Sequence, residues 1–224
     1  MPMTILILRL EGVLQSWGER SRWDFRDTNT MPTKSGVIGL ISCAMGLSRG
    51  DKKIIELFDG LKMGVRADRN GMLLEDFHTV TGERKYLYNS EGKKRVGSPT
   101  ILTPCQYIQD ACFTLALSGD IIILEQIKDA LLHPVWQTYL GRKSCVPSRP
   151  VYEAITNNYD SIAEAISKYP LCSRPNPVQG DYYLCEYDDK NGESLRRDVI
   201  KNNHLRNFGY RRIKNVVLSG KGMR

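Results

Sequence analysis

Thr4-Ile-Leu-Ile-Leu-Arg-Leu10 decides how the rest of the chain is interpreted. Its apolar and β-branched residues follow one another without alternation, which is typical of a central strand buried on both faces of a sheet. Ala111-Cys-Phe-Thr-Leu-Ala-Leu117 has the same character and predicts a second buried strand. Together with the helices predicted between such strands, the two runs indicate a mixed α+β fold.

Helix and turn signals occur between the two runs and after them. A helix is predicted over residues 33–47, with Thr33 or Ser35 as its N-cap. The Asn70-Gly71 dipeptide predicts a hairpin, because an Asn-Gly pair favours the tight turn between antiparallel strands. Asp120 is expected to cap a second helix.

The elements follow the order strand, helix, hairpin, strand, helix and, near residues 146–152, a return strand. This order predicts a ferredoxin-like (RRM-like) unit, an architecture that RNA-recognition modules share with many proteins that do not bind RNA. Residues 81–103 interrupt the unit with a turn-rich, basic segment that contains too little apolar material for a core. They are expected to form a protruding hairpin or loop.

The pattern of predicted helices and strands changes near residue 150, which predicts a domain boundary. Beyond it the sequence contains one short helical segment and several strands around an Asn191-Gly192 turn. We therefore predict two domains, a ferredoxin-like domain at residues 1–150 and a small β-rich domain at residues 151–224.

The positive charge of the chain is segregated. The net charge is +7, and residues 81–100, 139–150 and 193–224 carry +3, +3 and +7, while the segments between them are mostly acidic. Such blocks suit a phosphodiester backbone if the fold gathers them on one face. They equally suit a set of solvated loops with a basic tail. Charge alone leaves both interpretations open.

Composition excludes several classes of protein. With 41% hydrophobic and 25% charged residues, the chain is neither fibrous nor disordered. No apolar run approaches the ~20 residues that a membrane-spanning helix needs, and no secretory signal is evident. A cytoplasmic location is therefore expected, with reduced thiols at the six cysteines. Because no two cysteines have C-x-x-C spacing and there are only three histidines, a metal site is not expected. No other cofactor is expected either.

Phosphate-binding and catalytic signatures are sparse. Thr33-Lys-Ser-Gly36 resembles the end of a P-loop, but the glycines of that motif are absent, so an NTPase is not expected. What is left is a helix N-terminus with Lys34 and Ser35, which suits either a single phosphate or an ordinary cap beside a surface lysine. His78 lies two residues after Asp76. A general acid–base pair for RNA cleavage could be built from a histidine, a lysine and a tyrosine.

Four motifs together resemble a known family. Leu14-Gln-Ser-Trp-Gly18, Pro32-Thr-Lys-Ser-Gly36, Asp76-Phe-His-Thr-Val80 and Tyr139-Leu-Gly-Arg-Lys-Ser-Cys145 stand in the order and spacing of the type I-E members of the fifth-numbered CRISPR-associated (Cas) protein family. The match spans roughly residues 4–150. The resemblance implies a ferredoxin-like domain, an inserted thumb hairpin at about residues 81–103, and a small C-terminal β domain.

The resemblance also implies a function. It predicts a non-catalytic subunit of the Cascade surveillance complex that binds and caps the 5′ handle of the CRISPR RNA (crRNA) in antiviral defence. The implied partners are the backbone subunit and the large PAM-reading subunit, with target DNA met indirectly through the complex and no membrane. Relatives that cut precursor crRNA carry adjacent Lys and His residues, a dipeptide that this sequence lacks. A metal-independent endoribonuclease and a generic RNA-binding module are the alternatives.

Aromatic and basic residues supply the candidate RNA contacts. Trp17, Trp23 and Tyr139 offer stacking faces, worth about 1–3 kcal/mol per stacked base, although Trp17 also suits a core position. The Arg142-Lys143 pair supplies charge for the backbone phosphates. The predicted RNA-binding residues are Gln15, Trp17, Arg20, Arg26, Lys34, Ser35, Arg49, His78, Thr79, Lys85, Lys94, Arg95, Tyr139, Arg142, Lys143 and Ser144.

Overall fold

The computed structural model describes residues 3–20, 25–81, 93, 100–172, 182–202 and 207–219. Within them the chain forms strands and helices with the following bounds: β1 Met3–Gln15, α1 Lys34–Ala44, α2 Lys52–Gly60, β2 Lys62–Arg69, β3 Met72–Thr81, β4 Thr100–Ser118, α3 Ile121–Leu132, β5 Tyr152–Tyr159, α4 Ile162–Lys168, β6 Tyr182–Asp188, β7 Ser194–Asn202 and β8 Asn207–Ser219.

These strands form one sheet in the order β5-β1-β4-β2-β6-β8-β7, and β3 pairs with the first half of β4. The named strand pairs are antiparallel. The predicted mixed α/β class is therefore confirmed at the level of a large antiparallel sheet with helices. Strands from both sides of residue 150 share this sheet, and the division into two domains at that point stays a prediction.

β1 is buried on both faces, as its uninterrupted apolar run predicts. Leu6, Leu8 and Leu10 point into the larger hydrophobic cluster, which also contains the apolar residues of α1, α2 and α3. Ile5 and Ile7 point to the opposite face, into a smaller cluster with α4. The strand continues beyond the apolar run to Gln15, because its pairing with β4 extends this far.

The single charge in the apolar run of β1 belongs to a buried ionic cluster. Arg9 donates to the Asp68 carboxylate at 2.5 Å, and Arg66 Nε donates to the other oxygen of Asp68 at 2.6 Å. Thr114 donates to Asp68 from β4 at 2.9 Å. Because removing a charge from water is costly unless it is paired and hydrogen-bonded, this mutual satisfaction allows Arg9 to lie in a central strand.

The predicted caps and the first hairpin are confirmed. Thr33 caps α1 by accepting from the Gly36 N–H at 3.3 Å, and Asp120 caps α3. Gly71 has φ +71° in the turn between β2 and β3, where a Cβ would lie 2.5 Å from the Gln109 carbonyl oxygen. A glycine is therefore required there both by the backbone conformation and by the close approach of β4.

Two features differ from the sequence-based expectations. α2 was not predicted, although Asp51 caps it and Ile54, Leu57 and Phe58 bury one face at helical spacing. β6 and β7 flank the Asn191-Gly192 turn, but β8 lies between them in the sheet. Of the predicted protruding segment, residues 82–92 and 94–99 lie outside the described residues. Among the described helices, none has the length and apolar character needed to cross a membrane.

Candidate nucleic-acid interface

The first two sequence motifs meet at the start of α1. The indole ring of Trp17 packs against Gly36, where a Cβ would lie 2.9 Å from the ring. Trp17 Nε1 donates to Gln15 Oε1 at 3.1 Å, and the Gln15 amide donates to the carbonyl oxygens of Leu10 and Ala111. The end of β1 thus fixes the indole, and the indole fixes the position of the helix.

A third motif, at residues 139–145, closes the same site from the other side. The Ser16 N–H donates to the Leu140 carbonyl oxygen at 3.0 Å. Gly141 has φ +89°, and a Cβ on it would lie 1.7 Å from the Ser16 carbonyl oxygen. Such close contact between two backbones is possible only for glycine. Three motifs that are far apart in the sequence therefore surround one place in the fold.

These motifs line a groove of about 370 Å³ along α1, which we call the α1 groove. Its floor includes the small residues Gly36 and Gly39 of α1. A neighbouring hollow of about 590 Å³ shares Cys43, Trp136 and Tyr139 with it and adds Lys143. The α1 groove is lined by Ser16, Trp17, Gly18, Thr33, Ser35, Gly36, Gly39, Ser42, Cys43, Leu47, Arg49, Ile54, Trp136, Tyr139, Gly141, Ile200 and Phe208.

Lys34 does not serve as a surface phosphate ligand, which corrects one sequence-based expectation. Its backbone N–H donates to Asp198, and its ammonium lies 3.3 Å from Asp188 and 4.3 Å from the centre of the Phe58 ring. Burial lowers the pKa of Lys34 from its usual value, although Asp188 acts in the opposite direction. The strands β6 and β7 already supply the anions for this helix N-terminus, and Lys34 is buried, so it is not the surface lysine of the ordinary-cap interpretation either.

Gln15 and Trp17 also need correction as direct RNA contacts. The exposed fraction of Gln15 is 0% and that of Trp17 is 1%, and the hydrogen bonds of both side chains are internal. A base cannot stack on an indole whose faces are covered by protein. Trp17 instead lines the α1 groove, and Gln15 holds the indole in place there.

Arg142 holds the segment of chain that contains Arg26. Arg142 Nη2 donates to the carbonyl oxygens of Arg26 and Asp27, and its guanidinium lies 4.6 Å from the centre of the Tyr107 ring. The Arg26 backbone in turn pairs with β4 on either side of Cys105. Arg142 therefore braces the segment that carries Arg26, while the adjacent Lys143 is exposed.

The other predicted residues differ in their surroundings. Ser35, Arg49 and Tyr139 line the α1 groove, and Lys143 lines the neighbouring hollow. Arg20, Ser144, His78 and Thr79 are exposed, and none of them lines the α1 groove; the last two lie on β3. Lys85, Lys94, Arg95 and the aromatic Trp23 lie outside the described residues.

Trp136 is the residue that the sequence analysis missed. Its exposed fraction is 49%, and it lines both the α1 groove and the neighbouring hollow. The Cys43 thiol donates to the carbonyl oxygens of Trp136 and Gln137, which holds this segment against α1, and burial raises the pKa of Cys43. An exposed tryptophan just after the end of a helix was the available signal.

One buried group offers ligand atoms to a metal. Among the described residues, Asp68, Cys112 and Cys172 place three such atoms within 4.8 Å of one another. The Asp68 carboxylate already accepts hydrogen bonds from Arg9 and Arg66. A cation here would face two guanidinium groups at short range, so these residues do not fit a metal site.

Fold and groove together describe a mixed α/β protein whose sheet supports a narrow groove with aromatic and basic residues at its margin. The chain matches the family model described as CRISPR-associated protein (Cas_Cas5) over residues 5–214, and it belongs to this family. It is 32% identical over 190 residues to the CRISPR system Cascade subunit CasD of Escherichia coli (strain K12), which covers 80% of each chain.

Two solved structures are similar along nearly the whole chain. A crystal structure of a Cas protein is 33% identical, with a TM-score of 0.72, covering 97% of this chain and 96% of that chain. A chain of a CRISPR RNA-guided surveillance complex is 32% identical, with a TM-score of 0.77, covering 96% of this chain and 90% of that chain.

Proposed function

We propose that this chain is a non-catalytic subunit of a type I-E Cascade surveillance complex that binds and caps the 5′ handle of the crRNA. Membership of the Cas family, the identity to a Cascade subunit and the structural similarity to a chain of an RNA-guided surveillance complex support this proposal. The proposed partners are the crRNA, the backbone subunit and the large PAM-reading subunit, and target DNA is met through the complex.

The proposed core architecture is ferredoxin-like. Within the sheet, the order β5-β1-β4-β2 is that of a split β-α-β unit, with α1 after the first strand and α3 after the third strand of the unit. All its strand pairs are antiparallel, and α1, α2 and α3 belong to the same hydrophobic cluster on one face. The hairpin extension of β3 and β4 is then the stem of the proposed thumb.

The observation that carries the RNA assignment is the convergence of three motifs on the α1 groove. Arg49 and Lys143 provide cations at its margin, and Tyr139 and Trp136 provide aromatic rings. Unpaired nucleotides are held in this way by proteins generally: cations contact phosphates, and bases stack on rings for about 1–3 kcal/mol each. The small-residue floor of α1 leaves space for a backbone to approach closely.

The proposal of a non-catalytic role rests on the relative and on the sequence. The curated relative is a subunit of a complex, and this chain has no adjacent Lys and His residues. We also propose the cytoplasm as the compartment, because the six cysteines are free thiols, as expected in a reducing environment.

The test is binding of the handle RNA by groove variants. Arg49→Ala and Tyr139→Ala proteins are compared with wild type for affinity to a fluorescent 5′-handle RNA and for recovery of complex with the other Cascade subunits. Each variant is expected to weaken handle binding about tenfold, while Lys190→Ala, an exposed lysine in the turn between β6 and β7, binds as wild type does. Unchanged binding by both groove variants would contradict the assignment.

A further inference from the structure

A thiol, an imidazole and a carboxylate form a chain of contacts at the base of the β3–β4 hairpin. Cys105 on β4 lies opposite Asp76 on β3, and His78 is two residues further along β3 on the same face. Cys105 Sγ is 3.7 Å from His78 Nδ1, and His78 Nε2 is 2.7 Å from Asp76 Oδ2. The α1 groove does not include these three residues.

The Asp76 carboxylate determines which ring nitrogen of His78 can act as a base toward the Cys105 sulfur. An ionised carboxylate accepts but does not donate, so a hydrogen bond at 2.7 Å requires the proton to lie on Nε2. The neutral ring then presents the lone pair of Nδ1 to the Cys105 thiol. A nucleophile, a base and a group that orients the base are the parts of an activated nucleophile.

We propose that Cys105, His78 and Asp76 form a reactive-thiol site that takes low-molecular-weight disulfides and carries a mixed disulfide at Cys105. The thiol proton moves to His78 Nδ1 as the sulfur attacks one sulfur of the reagent. A new S–S bond forms to Cys105 while the reagent's S–S bond breaks. The departing thiolate receives the proton from His78, so the exchange balances without another oxidant.

The other cysteines provide a sharp contrast. Cys43 is the one cysteine of intermediate exposure, whereas the other five are buried. Cys43 donates to two carbonyl oxygens and its pKa is raised by burial, so it is accessible without being activated. Exposure alone therefore predicts that Cys43 reacts first, and activation predicts Cys105. Cys105 itself is 6% exposed, so the proposal requires the reagent to approach it beside His78, whose side chain is 53% exposed.

An adduct at Cys105 has a structural consequence near the proposed RNA site. The Arg26 N–H donates to the Pro104 carbonyl oxygen at 2.9 Å, and the Gln106 N–H donates to the Arg26 carbonyl oxygen at 2.7 Å. The segment carrying Arg26 is therefore held on both sides of Cys105. Added bulk on the sulfur presses on this pairing and on the start of the hairpin, which would lower RNA affinity. This regulatory consequence rests on the proposed function; the reactivity of the thiol does not.

The experiment measures site-resolved thiol exchange on the folded full chain. The protein is incubated with 2-hydroxyethyl disulfide, quenched with acid, digested and quantified peptide by peptide. In wild type, Cys105 is expected to be modified at least tenfold faster than Cys43 at pH 7. His78→Ala and Asp76→Asn are expected to remove most of this preference, whereas His133→Ala, which changes an exposed histidine after α3, keeps it.

The pH profile separates activation from a change in packing. A rate assisted by an imidazole base rises about fourfold between pH 6 and pH 7.5, whereas the rate of an unassisted thiol rises about thirtyfold. The Cys105 rate of wild type should rise less steeply with pH than that of Asp76→Asn. Faster labelling of Cys43, no labelling of Cys105, or a Cys105 rate unaffected by His78→Ala would each overturn the proposal. The exchange assay contains no RNA, so its result does not depend on whether the proposed RNA-binding function is correct.

Discussion

The backbone N–H of Lys34 donates to the Asp198 carboxylate at 2.7 Å, which joins the first turn of α1 to β7 across 164 residues of sequence. Asp198 also accepts from Arg211 Nε at 2.7 Å and from Arg211 Nη2 at 2.9 Å, and its exposed fraction is 1%. One buried carboxylate thus holds the helix beside the α1 groove and the C-terminal strands in a fixed relation.

Asp198→Ala is therefore expected to destabilise the protein by about 3–5 kcal/mol, because it leaves the buried Arg211 guanidinium with reduced compensation. The free energy of unfolding is measured by urea denaturation at pH 7. Glu56→Ala, which changes an exposed carboxylate on α2, is the control and should stay within about 0.5 kcal/mol of wild type. A loss below 1 kcal/mol for Asp198→Ala would contradict this role.

A second carboxylate in this region predicts a pH dependence of stability. Burial raises the pKa of Glu186, although Arg196 donates to it at 2.5 Å and opposes the shift. In a folded state with a raised carboxyl pKa, more protons are bound than in the unfolded state. The contribution of Glu186 is therefore fully present below the unfolded value of about 4.3 and is lost as the pH rises through the folded pKa.

The difference in unfolding free energy between wild type and Glu186→Gln isolates this effect. The unfolding free energy of wild type minus that of Glu186→Gln should decrease as the pH rises above about 4.3, by no more than about 1.4 kcal/mol per pH unit, and then level off. Urea titrations at half-unit steps provide the measurement. A difference that is flat, or that moves in favour of wild type with rising pH, would show that the Arg196 interaction outweighs burial.

Local sequence patterns predict most of the strands, helices and turns, but they do not predict which residues from distant elements come into contact. The uninterrupted apolar run of β1 and the Asn70-Gly71 turn are local patterns, so they predict the structure correctly. The fate of Lys34 depends on Asp188 and Asp198, which arrive from distant strands, so no local pattern separates a phosphate ligand from a buried cap. Trp136 is likewise positioned by contacts with α1 that are distant in sequence, from Cys43 to its own carbonyl oxygen and from the Val135 N–H to the Ala44 carbonyl oxygen.

The motifs illustrate the same limit at the site. Gly141 and Ser16 are in backbone contact, which explains why the glycine is required, yet neither residue indicates the other in the sequence. The motif order pointed to the family, and the structure supplied the reason that three of the motifs lie together. Arg142, predicted as a phosphate contact, became a brace because the carbonyl oxygens of Arg26 and Asp27 lie within its reach.

Lys143 and Arg142 should accordingly differ in their effects on RNA binding. Lys143→Ala removes an exposed cation. The log–log plot of affinity against salt concentration should therefore become shallower, its slope smaller in magnitude by roughly 0.7, the value for one phosphate contact on a single strand. Arg142→Ala should weaken binding and also lower the melting temperature, because it releases a packed segment. Fluorescence anisotropy across a salt series gives the slopes, with Lys190→Ala as the matched control. Equal slopes for Lys143→Ala and wild type would show that this lysine is a solvated surface residue.

The isolated protein is expected to leave repeat RNA intact in the presence of a chelator. The proposal of a non-catalytic subunit carries this expectation, and the His78–Asp76 pair is the feature of β3 that could contradict it. Labelled precursor RNA is incubated with wild type and with His78→Ala and analysed on a sequencing gel. Site-specific cleavage that disappears in His78→Ala would replace the proposed role with that of a processing endoribonuclease.

Removal of the proposed thumb should separate folding from assembly. Thr81 and Thr100 are cross-strand partners whose hydroxyl oxygens are 3.2 Å apart, so a short Gly-Ser turn can join them in place of residues 82–99. By its sequence, that segment contains too little apolar material to form part of a core. The shortened protein is therefore expected to keep a melting temperature within a few degrees of wild type.

Assembly is expected to fail in the same protein. The remaining stem still exposes Phe77, Val80 and Leu102 to solvent by more than half, which is unusual for a hairpin without a partner. A basic extension beyond such a stem is suited to contact with RNA and a neighbouring subunit. The yield of complex with crRNA and the backbone subunit is measured beside the melting temperature, at low and at moderate salt. Normal assembly would refute the thumb, and loss of folding would mean that residues 82–99 contribute to the core.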